Sequence, residues 1–215
     1  MHCSIRRMLR EDISQVTEID REAFPTQWPP ANYKHELGNQ LARYIVACDE
    51  TVESTEPHKE PTKEPNGFIS RLVQQLKRGN SPRAYLPGPD EQNIAGFAGI
   101  WVLADEAHIT NIAVRTKYRR QGIGELLLIQ AIELAKELKA EIMTLEVRVS
   151  NIAAQNLYYK YGFTQVGLRR AYYTDNREDG MLMSTENVNL DSYQALFRQL
   201  KQAYEQKWHI QPPAC

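Results

Sequence analysis

The spacing of apolar residues changes several times within the first 48 positions. Residues 4–8 have the composition of a short strand, and residues 44–48 form an unbroken apolar run that is typical of a strand buried on both faces. Asp12 can cap a helix between them, and residues 33–37 predict a second, shorter helix. The apolar positions of the first helix recur on one face: Ile13, Val16, Ile19 and Ala23.

The second half of the chain alternates between strand and helix patterns. The predicted strands cover residues 94–103, 107–114, 141–149, 163–168 and 181–183, with a turn at residues 103–106. The predicted helices cover residues 122–138 and 153–161. A strand, a helix and a further strand follow one another twice, which requires a parallel pair of strands and an α/β layered fold.

Residues 50–93 differ in character from their surroundings. Proline recurs at Pro57, Pro61 and Pro65, and neither a helix nor a sheet can run through that spacing. Residues 68–76 predict a small amphipathic helix, and a proline-rich loop follows it. We interpret residues 50–93 as one insertion between two adjacent strands, because the entropy cost of closing a loop grows only slowly with its length.

A last helix is predicted from Asn189 onwards, before the prolines near the end of the chain. Packing against the domain is the simpler interpretation of this helix, and a dedicated partner surface is the alternative. Its apolar stripe comprises Leu190, Tyr193, Leu196, Phe197, Leu200 and Tyr204.

Charge and cysteine content narrow the class of protein. The 26 basic and 27 acidic residues nearly cancel, which argues against a direct role on nucleic acid or at a membrane surface. Three cysteines, at positions 3, 48 and 215, have no disulfide or metal-site spacing, so we expect free thiols and no metal. The N-terminus lacks the apolar core of a secretory signal, and no apolar run is long enough to span a membrane. These features predict a cytoplasmic protein.

A glycine turn lies between a predicted strand and the long helix. Gly122 and Gly124 let backbone N–H groups point into one concavity at the helix N-terminus, where a phosphate or diphosphate can bind. Arg119 and Arg120 can add charge-assisted contacts. The absence of a following Lys-Ser/Thr pair excludes a P-loop, and Leu127 stands where a dinucleotide-binding fingerprint requires glycine. An ordinary tight turn remains the alternative.

Two further residues are candidates for chemistry. Glu146 lies on a predicted strand opposite the apolar Leu145 and Val147, so we expect an apolar setting that raises its pKa and suits a general base. A structural ion pair, for example with Arg148, is the alternative. Tyr158 is predicted to point inward from its helix, where an ordinary hydrogen bond is the alternative to a catalytic role.

Together and in this order, these segments resemble the GNAT acetyltransferase superfamily. The resemblance is carried by residues 111–114, 119–124, 145–151 and 156–163. Residues 169–173 and 177–179 are similar to the ending of the bacterial ribosomal-protein alanine N-acetyltransferases, which are relatives of the catalytic subunits of N-terminal acetyltransferases. The resemblance is dense over residues 94–183 and loose over residues 4–48, while the insertion and the tail depart from the family's compact pattern.

The resemblance implies a central, mixed and twisted sheet flanked by helices. A single acetyltransferase domain would cover residues 1–185, and residues 186–215 would form a helical extension. Glu146 would be the proton acceptor and Tyr158 the proton donor, with acetyl-CoA as co-substrate and no metal. Asn151 would contact the cofactor near its thiol. Backbone groups of Ile112, Ala113 and Val114 would bind the pantetheine arm, and the diphosphate would lie on Arg120, Gln121, Gly122, Ile123, Gly124 and Glu125.

The resemblance also implies which amine accepts the acetyl group. We expect acetyl transfer to the N-terminal α-amine of a protein, with a ribosomal protein that begins with alanine as the target typical of the family. The segment 177–179 and the pair Tyr172 and Tyr173 would help to shape the acceptor slot, with plain hairpin packing as the alternative. Two other functions stay open at this point: transfer to a lysine or a small-molecule amine, and a non-catalytic module that only binds acetyl-CoA.

Overall fold

The computed structural model describes residues 3–26, 31–50 and 93–208. Most of the predicted insertion, with its proline repeat and the helix at residues 68–76, lies outside the described residues, as does Cys215. These described residues form seven strands: β1 (Cys3–Arg7), β2 (Ala42–Asp49), β3 (Asn93–Leu103), β4 (Glu106–Val114), β5 (Ile142–Arg148), β6 (Thr164–Tyr173) and β7 (Glu178–Ser184). They also form five α-helices: α1 (Ile13–Ala23), α2 (Tyr33–Glu36), α3 (Ile123–Glu137), α4 (Ile152–Lys160) and α5 (Asp191–Trp208).

One mixed sheet contains all seven strands, in the order β1-β2-β3-β4-β5-β7-β6. Only β4 and β5 are parallel, and every other neighbouring pair is antiparallel. A parallel pair needs a crossover connection, and α3 supplies it. The predicted α/β fold with one parallel pair and flanking helices is confirmed.

Helices cover the two faces of the sheet with separate apolar clusters. On one face, α3 contributes the fully buried Leu127, Leu128 and Ile132 to a cluster that also contains Phe197 of α5. On the other face, α1 packs Val16 and Ile19, and α2 packs Tyr33, against β2 and β3. Strand β2, the second in the sheet, is buried along almost its whole length, as its unbroken apolar run predicts.

The beginning of α1 differs from the prediction. The helix does begin after Asp12, but the Asp12 side chain makes no capping hydrogen bond. Its carboxylate accepts the Leu9 N–H at 2.7 Å and both guanidinium nitrogens of Arg6 at 2.6 and 2.8 Å. Asp12 therefore links the turn before the helix to β1. The two hydrogen bonds from the Arg6 guanidinium stabilise the carboxylate more than a single hydrogen bond from a backbone N–H would.

Strand β6 is longer than predicted and extends to Tyr173. Its outer half, including Arg169 and Arg170, lacks alternating apolar residues, so the sequence pattern ended the strand at position 168. The strand lies at the edge of the sheet and is mostly exposed. Pairing with β7, rather than burial, holds this half in place.

Helix α5 begins at Asp191 and packs on the domain along α3. Its Lys201 pairs with Glu133 at 2.5 Å, and Tyr193 donates to the Tyr161 carbonyl at 3.0 Å. Part of the predicted apolar stripe is wrong, since Leu190 and Leu196 are exposed. Only the face that carries Tyr193, Phe197 and Tyr204 is covered.

Two further observations concern membranes and metals. Within residues 3–26, 31–50 and 93–208, no helix combines the length and apolar character needed to cross a membrane. The same residues contain no group of three or more His, Cys, Asp or Glu side chains placed to hold a metal ion. Cys3 and Cys48 are free thiols, and both are buried.

Candidate active site

Strands β4 and β5 separate halfway along their length. Their parallel ladder runs from the pair Glu106–Ile142 to the pair Ile109–Leu145 and then ends. Directly beyond it, β4 carries one extra residue, because Asn111 pairs with Gly99 and Ile109 with Ile100 of β3. Such a bulge bends the strand that contains it. The sheet therefore opens into a fork at this point.

Residues 112–114 of β4 line one side of the fork. Ile112, Ala113 and Val114 pair with β3 on their other side. Among the described strands, none pairs with them on the side that faces β5. This edge therefore offers backbone N–H and C=O groups to an extended ligand. Binding of the pantetheine arm to these three residues, which the family resemblance implies, remains a prediction.

The glycine turn lies at the end of β4 and begins α3. Arg120 and Gly122 have positive φ angles of 63° and 84°. The first helical bond runs from the Leu126 N–H to the Gly122 carbonyl, so the N–H groups of Ile123, Gly124 and Glu125 have no acceptor within the helix. These unused backbone donors lie next to Val114 at the open edge of β4, and the concavity predicted for them remains a prediction.

Trp208, near the end of α5, packs against this turn. A Cβ atom on Gly122 would lie 2.5 Å from the indole ring, so glycine is needed both for its φ angle and for space. The indole nitrogen of Trp208 is buried and has no hydrogen-bond partner among the described residues. The C-terminal helix, which lies outside the family's compact pattern, thus supports the turn from behind.

The side chains of the turn have other partners. Gln121 donates to the Lys117 carbonyl at 3.0 Å, and the Glu125 carboxylate accepts hydrogen bonds from Lys160 at 2.5 Å and from the Tyr161 hydroxyl at 2.8 Å. Arg120 is exposed. Any contribution of Gln121 and Glu125 to a ligand in the concavity therefore comes from their backbone.

Glu146 is the first residue of β5 beyond the closed part of the ladder. Its side chain is only 6% exposed, and Leu145 and Val147 on either side point into the opposite core, as predicted. Its carboxylate lies 3.1 Å from Nε2 of His108 and 3.1 Å from the Arg169 guanidinium. The setting is thus polar and ion-paired, and the expected apolar surroundings are wrong.

The expected direction of the Glu146 pKa shift is also wrong. The hydrogen bond with His108 is the main cause that lowers the pKa of Glu146, and Arg169 lowers it further, while burial acts in the opposite direction. The alternation of residues along the strand shows that the Glu146 carboxylate points away from the apolar face. It cannot show which cationic side chains of other strands lie beside that carboxylate.

The anticipated partner of Glu146, Arg148, belongs to a different cluster. Its guanidinium binds Asp175 at 2.9 Å and Glu178 at 3.1 Å and lies 3.9 Å from the centre of the Tyr173 ring. Thr26, which follows α1, donates to Asp175 at 2.5 Å. These contacts connect the segment after α1 with the β6–β7 turn on the rim of the Glu146 site.

Tyr158 packs in the apolar cluster on the face of the sheet opposite Glu146. It is partly buried against the α3 cluster, and its ring centre lies 5.8 Å from that of Phe163. Among the described residues, none hydrogen-bonds its hydroxyl, and burial alone raises the pKa of Tyr158 to about 12. The ordinary hydrogen bond weighed as the alternative is absent from this part of the chain.

Tyr173 connects the two candidates. Burial is the main cause that raises the pKa of Tyr173, and both Glu146 and Tyr158 contribute to the rise. Both residues therefore influence the pKa of Tyr173, although they extend from opposite faces of the sheet.

Asn151 forms the N-cap of α4, as the sequence allowed. Its side-chain oxygen accepts the Ala154 N–H at 3.2 Å. The predicted contact with the thiol end of a cofactor remains a prediction.

His108 and Arg169 are the residues that sequence reasoning missed as partners of Glu146. His108 also lies 2.8 Å, through Nδ1, from the Thr144 hydroxyl, which donates to Glu106 at 2.5 Å. A histidine on the strand predicted for residues 107–114, two positions after Glu106, was a usable signal. The parallel register that places His108 opposite Thr144 is visible only in the folded chain.

Comparison with known proteins identifies the class to which this fold and site belong. The sequence pattern of the Acetyltransferase (GNAT) family matches residues 13–163. The chain is a member of the GNAT acetyltransferase family.

Three relatives are more specific. The chain is 36% identical over 181 residues to a provisionally named ribosomal protein bS18-alanine N-acetyltransferase of Bacillus subtilis, covering 84% of this chain and 93% of that protein. It is 34% identical over 181 residues to an N-alpha-acetyltransferase of Sulfurisphaera tokodaii, covering 84% and 90%. The crystal structure of the ribosomal-protein-S18-alanine N-acetyltransferase of Escherichia coli superposes with a TM-score of 0.59 at 25% identity, covering 86% and 94%.

Proposed function

We propose that the chain transfers an acetyl group from acetyl-CoA to the N-terminal α-amine of a protein. The single observation that carries this proposal is the position of Glu146. A carboxylate lies at the point where β4 and β5 part, beside a free strand edge and a helix N-terminus with unused backbone donors.

The residues present fit the two ends of acetyl-CoA. The unpaired edge at Ile112–Val114 matches an extended amide-containing arm, which can hydrogen-bond as an added strand. The free N–H groups at the start of α3 and the positive end of the helix dipole suit a diphosphate. When bound, acetyl-CoA supplies the activated thioester carbonyl. In this proposal a backbone N–H of the β4 edge would stabilise negative charge on the acetyl oxygen.

The first requirement of the reaction is a neutral amine. A terminal α-amine has an ordinary pKa of about 7.7–8.0, whereas that of lysine is about 10.4. At neutral pH a carboxylate can therefore deprotonate an α-amine far more easily than a lysine. In this proposal Glu146 takes the proton, directly or through a water molecule, on the face of the sheet that carries Arg169.

The second requirement is a proton for the departing thiolate. The Tyr158 hydroxyl remains protonated at neutral pH, because burial raises its pKa to about 12. Among the described residues it has no other hydrogen-bond partner. Tyr158 reaches the fork from the face opposite Glu146, so the acetyl group would lie in the gap between acceptor and donor.

The acceptor would approach from the face of Glu146. Tyr172 and Tyr173 pack edge to face there, 5.1 Å between ring centres, and the Thr26–Asp175 contact borders the same face. Because two relatives carry names that specify the alanine of ribosomal protein bS18, a ribosomal protein with an N-terminal alanine is the acceptor that we propose. That target places the reaction in the cytoplasm.

A peptide panel tests this function. The chain is incubated with acetyl-CoA and two peptides of equal sequence, one with a free N-terminal alanine and one with a blocked N-terminus and a single internal lysine. We expect acetyl transfer to the α-amine only, located by tandem mass spectrometry. Transfer to lysine or polyamines without transfer to the α-amine would refute the proposal, as would tight acetyl-CoA binding without transfer to any amine.

A further inference from the structure

Helix α5 lies antiparallel along α3 and ends at the glycine turn. Near its start, Gln194 accepts a hydrogen bond from Lys136 in the last turn of α3 at 2.5 Å. Lys201, in the middle of α5, pairs with a glutamate of α3 at 2.5 Å. Trp208, the last residue of α5, lies against Gly122, the residue directly before α3. The packing of the two helices therefore places an indole ring at the start of α3.

The indole ring of Trp208 occupies the space that a side chain at position 122 would need. A Cβ atom on Gly122 would lie 2.5 Å from Cε2, 2.7 Å from Nε1 and 3.0 Å from Cδ2 of the ring. Tyr204, which is only 3% exposed, packs against the indole from the preceding turn of α5, 6.4 Å between ring centres. The ring thus has fixed neighbours of its own and limits where the backbone of the turn can lie.

The indole nitrogen shows what holds the ring in this position. Nε1 of Trp208 is buried and has no hydrogen-bond partner among the described residues. A buried donor without an acceptor is unfavourable, so a hydrogen bond to the described part of the chain does not hold the ring here. Apolar packing against Tyr204 and the α3 cluster does.

The turn beneath the indole carries the backbone donors that we propose for the diphosphate. Gly122 has a φ angle of 84°, and the N–H groups of residues 123–125 have no acceptor within α3. Glycine leaves the backbone of a turn free to adopt several conformations. Donors bind an anion more tightly when their directions are fixed beforehand, because less conformational freedom is then lost on binding. A ring that restricts the glycine supplies this fixation.

We propose that Trp208 is a positioning residue of the cofactor site, which holds the Gly122 turn in the conformation that binds the diphosphate of acetyl-CoA. The inference rests on the proposed function, since that proposal assigns acetyl-CoA to the turn. It makes α5 part of the cofactor site, although the family pattern matches residues 13–163, before this helix. The contribution concerns the diphosphate and neither the acetyl group nor the acceptor amine.

The Kd for acetyl-CoA, measured by calorimetric titration, tests the inference. Trp208→Ala removes the ring, and we expect the Kd to rise about tenfold. Dephospho-CoA, which keeps the diphosphate but lacks the 3′-phosphate, should lose the same factor. Trp208→Phe keeps an aromatic ring at the turn and should restore most of the affinity. An unchanged Kd in Trp208→Ala, a loss confined to ligands with the 3′-phosphate, or a Phe variant as weak as the Ala variant would overturn the proposal.

Phe197→Leu is the matched control for a merely structural role. Phe197 is 3% exposed in the same helix, and it lies beside Lys136 at the far end of α3. We expect Phe197→Leu to lower the thermal unfolding temperature without changing the Kd. Trp208→Ala should raise the Kd and the KM for acetyl-CoA, while kcat and the KM for the peptide stay unchanged. A Kd that follows thermal stability in both variants would overturn the proposal.

The charge of Lys207 has to be separated from the ring. Its Nζ lies 5.1 Å from the centre of the Trp208 ring, so loss of the ring could also displace this cation. Lys207→Met removes the charge and keeps the ring, and it should bind acetyl-CoA like the wild type. A Kd as high as that of Trp208→Ala would assign the effect to charge and contradict the proposal.

A double variant tests the contact itself. The methyl group of Gly122→Ala would lie 2.5 Å from the indole, and this clash disappears when Trp208→Ala removes the ring. The Kd of the double variant should therefore rise by less than the product of the two single rises. Rises that multiply would show that the two residues act independently and would contradict the proposal.

Folding and function are controlled separately. If Trp208→Ala does not fold, Trp208→Leu replaces it, with the same expected rise in Kd and the same contradicting result. The titrations need no acceptor. Wild-type protein that binds acetyl-CoA but acetylates no α-amine would refute the proposed function, while the Kd values of the variants would still decide the role of Trp208. Wild-type protein without affinity for acetyl-CoA would refute both.

Discussion

The two ends of the β4–β5 pair use the same backbone differently. At the closed end, residues 106–109 and 142–145 form a regular parallel ladder beneath the buried side chains of α3. At the open end the ladder has stopped, and residues 112–114 of β4 pair with β3 but, among the described strands, have no partner on the side of β5. In this fold the polar residues of the candidate active site lie where the ladder between β4 and β5 is interrupted. The closed end supplies the rigidity that keeps the gap open.

The largest effect should follow from neutralising the carboxylate at the open end. Glu146→Gln removes the proposed proton acceptor, and we expect kcat to fall about 100- to 10,000-fold while the Kd for acetyl-CoA changes little. Steady-state kinetics and calorimetric titration measure the two quantities. Glu141→Gln, at the closed end, is the matched control and should retain activity. A variant at position 146 with wild-type turnover would remove Glu146 from the chemistry.

A cavity at the closed end should affect stability instead. Leu128 of α3 is fully buried, and Leu128→Ala should lower the free energy of unfolding by about 2–5 kcal/mol. Urea denaturation measures this change. Below the unfolding transition we expect kcat to stay within about twofold of the wild type, because a substitution distant from the active site usually has no energetic coupling to it. A large loss of kcat in the folded variant would show that the two ends are not separable.

Substitution of Gly122 should weaken cofactor binding by an intermediate amount. Gly122→Ala places a methyl group 2.5 Å from Trp208 at a positive φ angle, so the turn must move. We expect the Kd for acetyl-CoA to rise about tenfold, which corresponds to about 1.4 kcal/mol. Gly124→Ala is the control, because its Cβ would meet only Val114, at 3.8 Å. Equal effects of both substitutions would argue against strain at the turn.

The smallest effect concerns stability against pH. The folded protein holds the pKa of Glu146 below its ordinary value, mainly through His108, so its charge stabilises the fold above the unfolded pKa of about 4.3. This contribution is lost as the pH falls through the lower, folded pKa. The unfolding free energies of wild type and Glu146→Gln, measured by denaturation between pH 6 and pH 3, should therefore converge at the acidic end. A gap that widens on acidification would contradict the direction of the shift.

The sequence predicted the architecture better than the electrostatics. Apolar spacing placed the strands and helices within a few residues, because burial of side chains such as Leu127 and Val147 decides those elements. It failed at β6, where pairing with β7 replaces burial. Apolar spacing also gave the wrong surroundings for Glu146 and the wrong direction for the shift of its pKa. The ion partners His108 and Arg169 come from β4 and β6, and their approach depends on register and on the order of strands in the sheet.

Asp12 and Trp208 illustrate the same limit. A capping residue was recognised at Asp12, but its carboxylate binds Arg6 of β1, a contact that no local pattern encodes. The tail helix was predicted, yet its contact with the Gly122 turn required the folded structure. The residues that form a single helix or strand can be predicted from apolar spacing. Contacts between elements distant in sequence cannot be predicted in this way.

The structure of the chain with a conjugate of CoA and an alanine-initiated peptide would test the central claim most directly. We expect the diphosphate on the N–H groups of Ile123, Gly124 and Glu125, and the sulfur in the gap between β4 and β5. The peptide nitrogen should lie within hydrogen-bond reach of Glu146 or of one bridging water, and the Tyr158 hydroxyl should face the sulfur. A conjugate bound elsewhere, with the fork closed or the nitrogen far from Glu146, would contradict the assignment of this site.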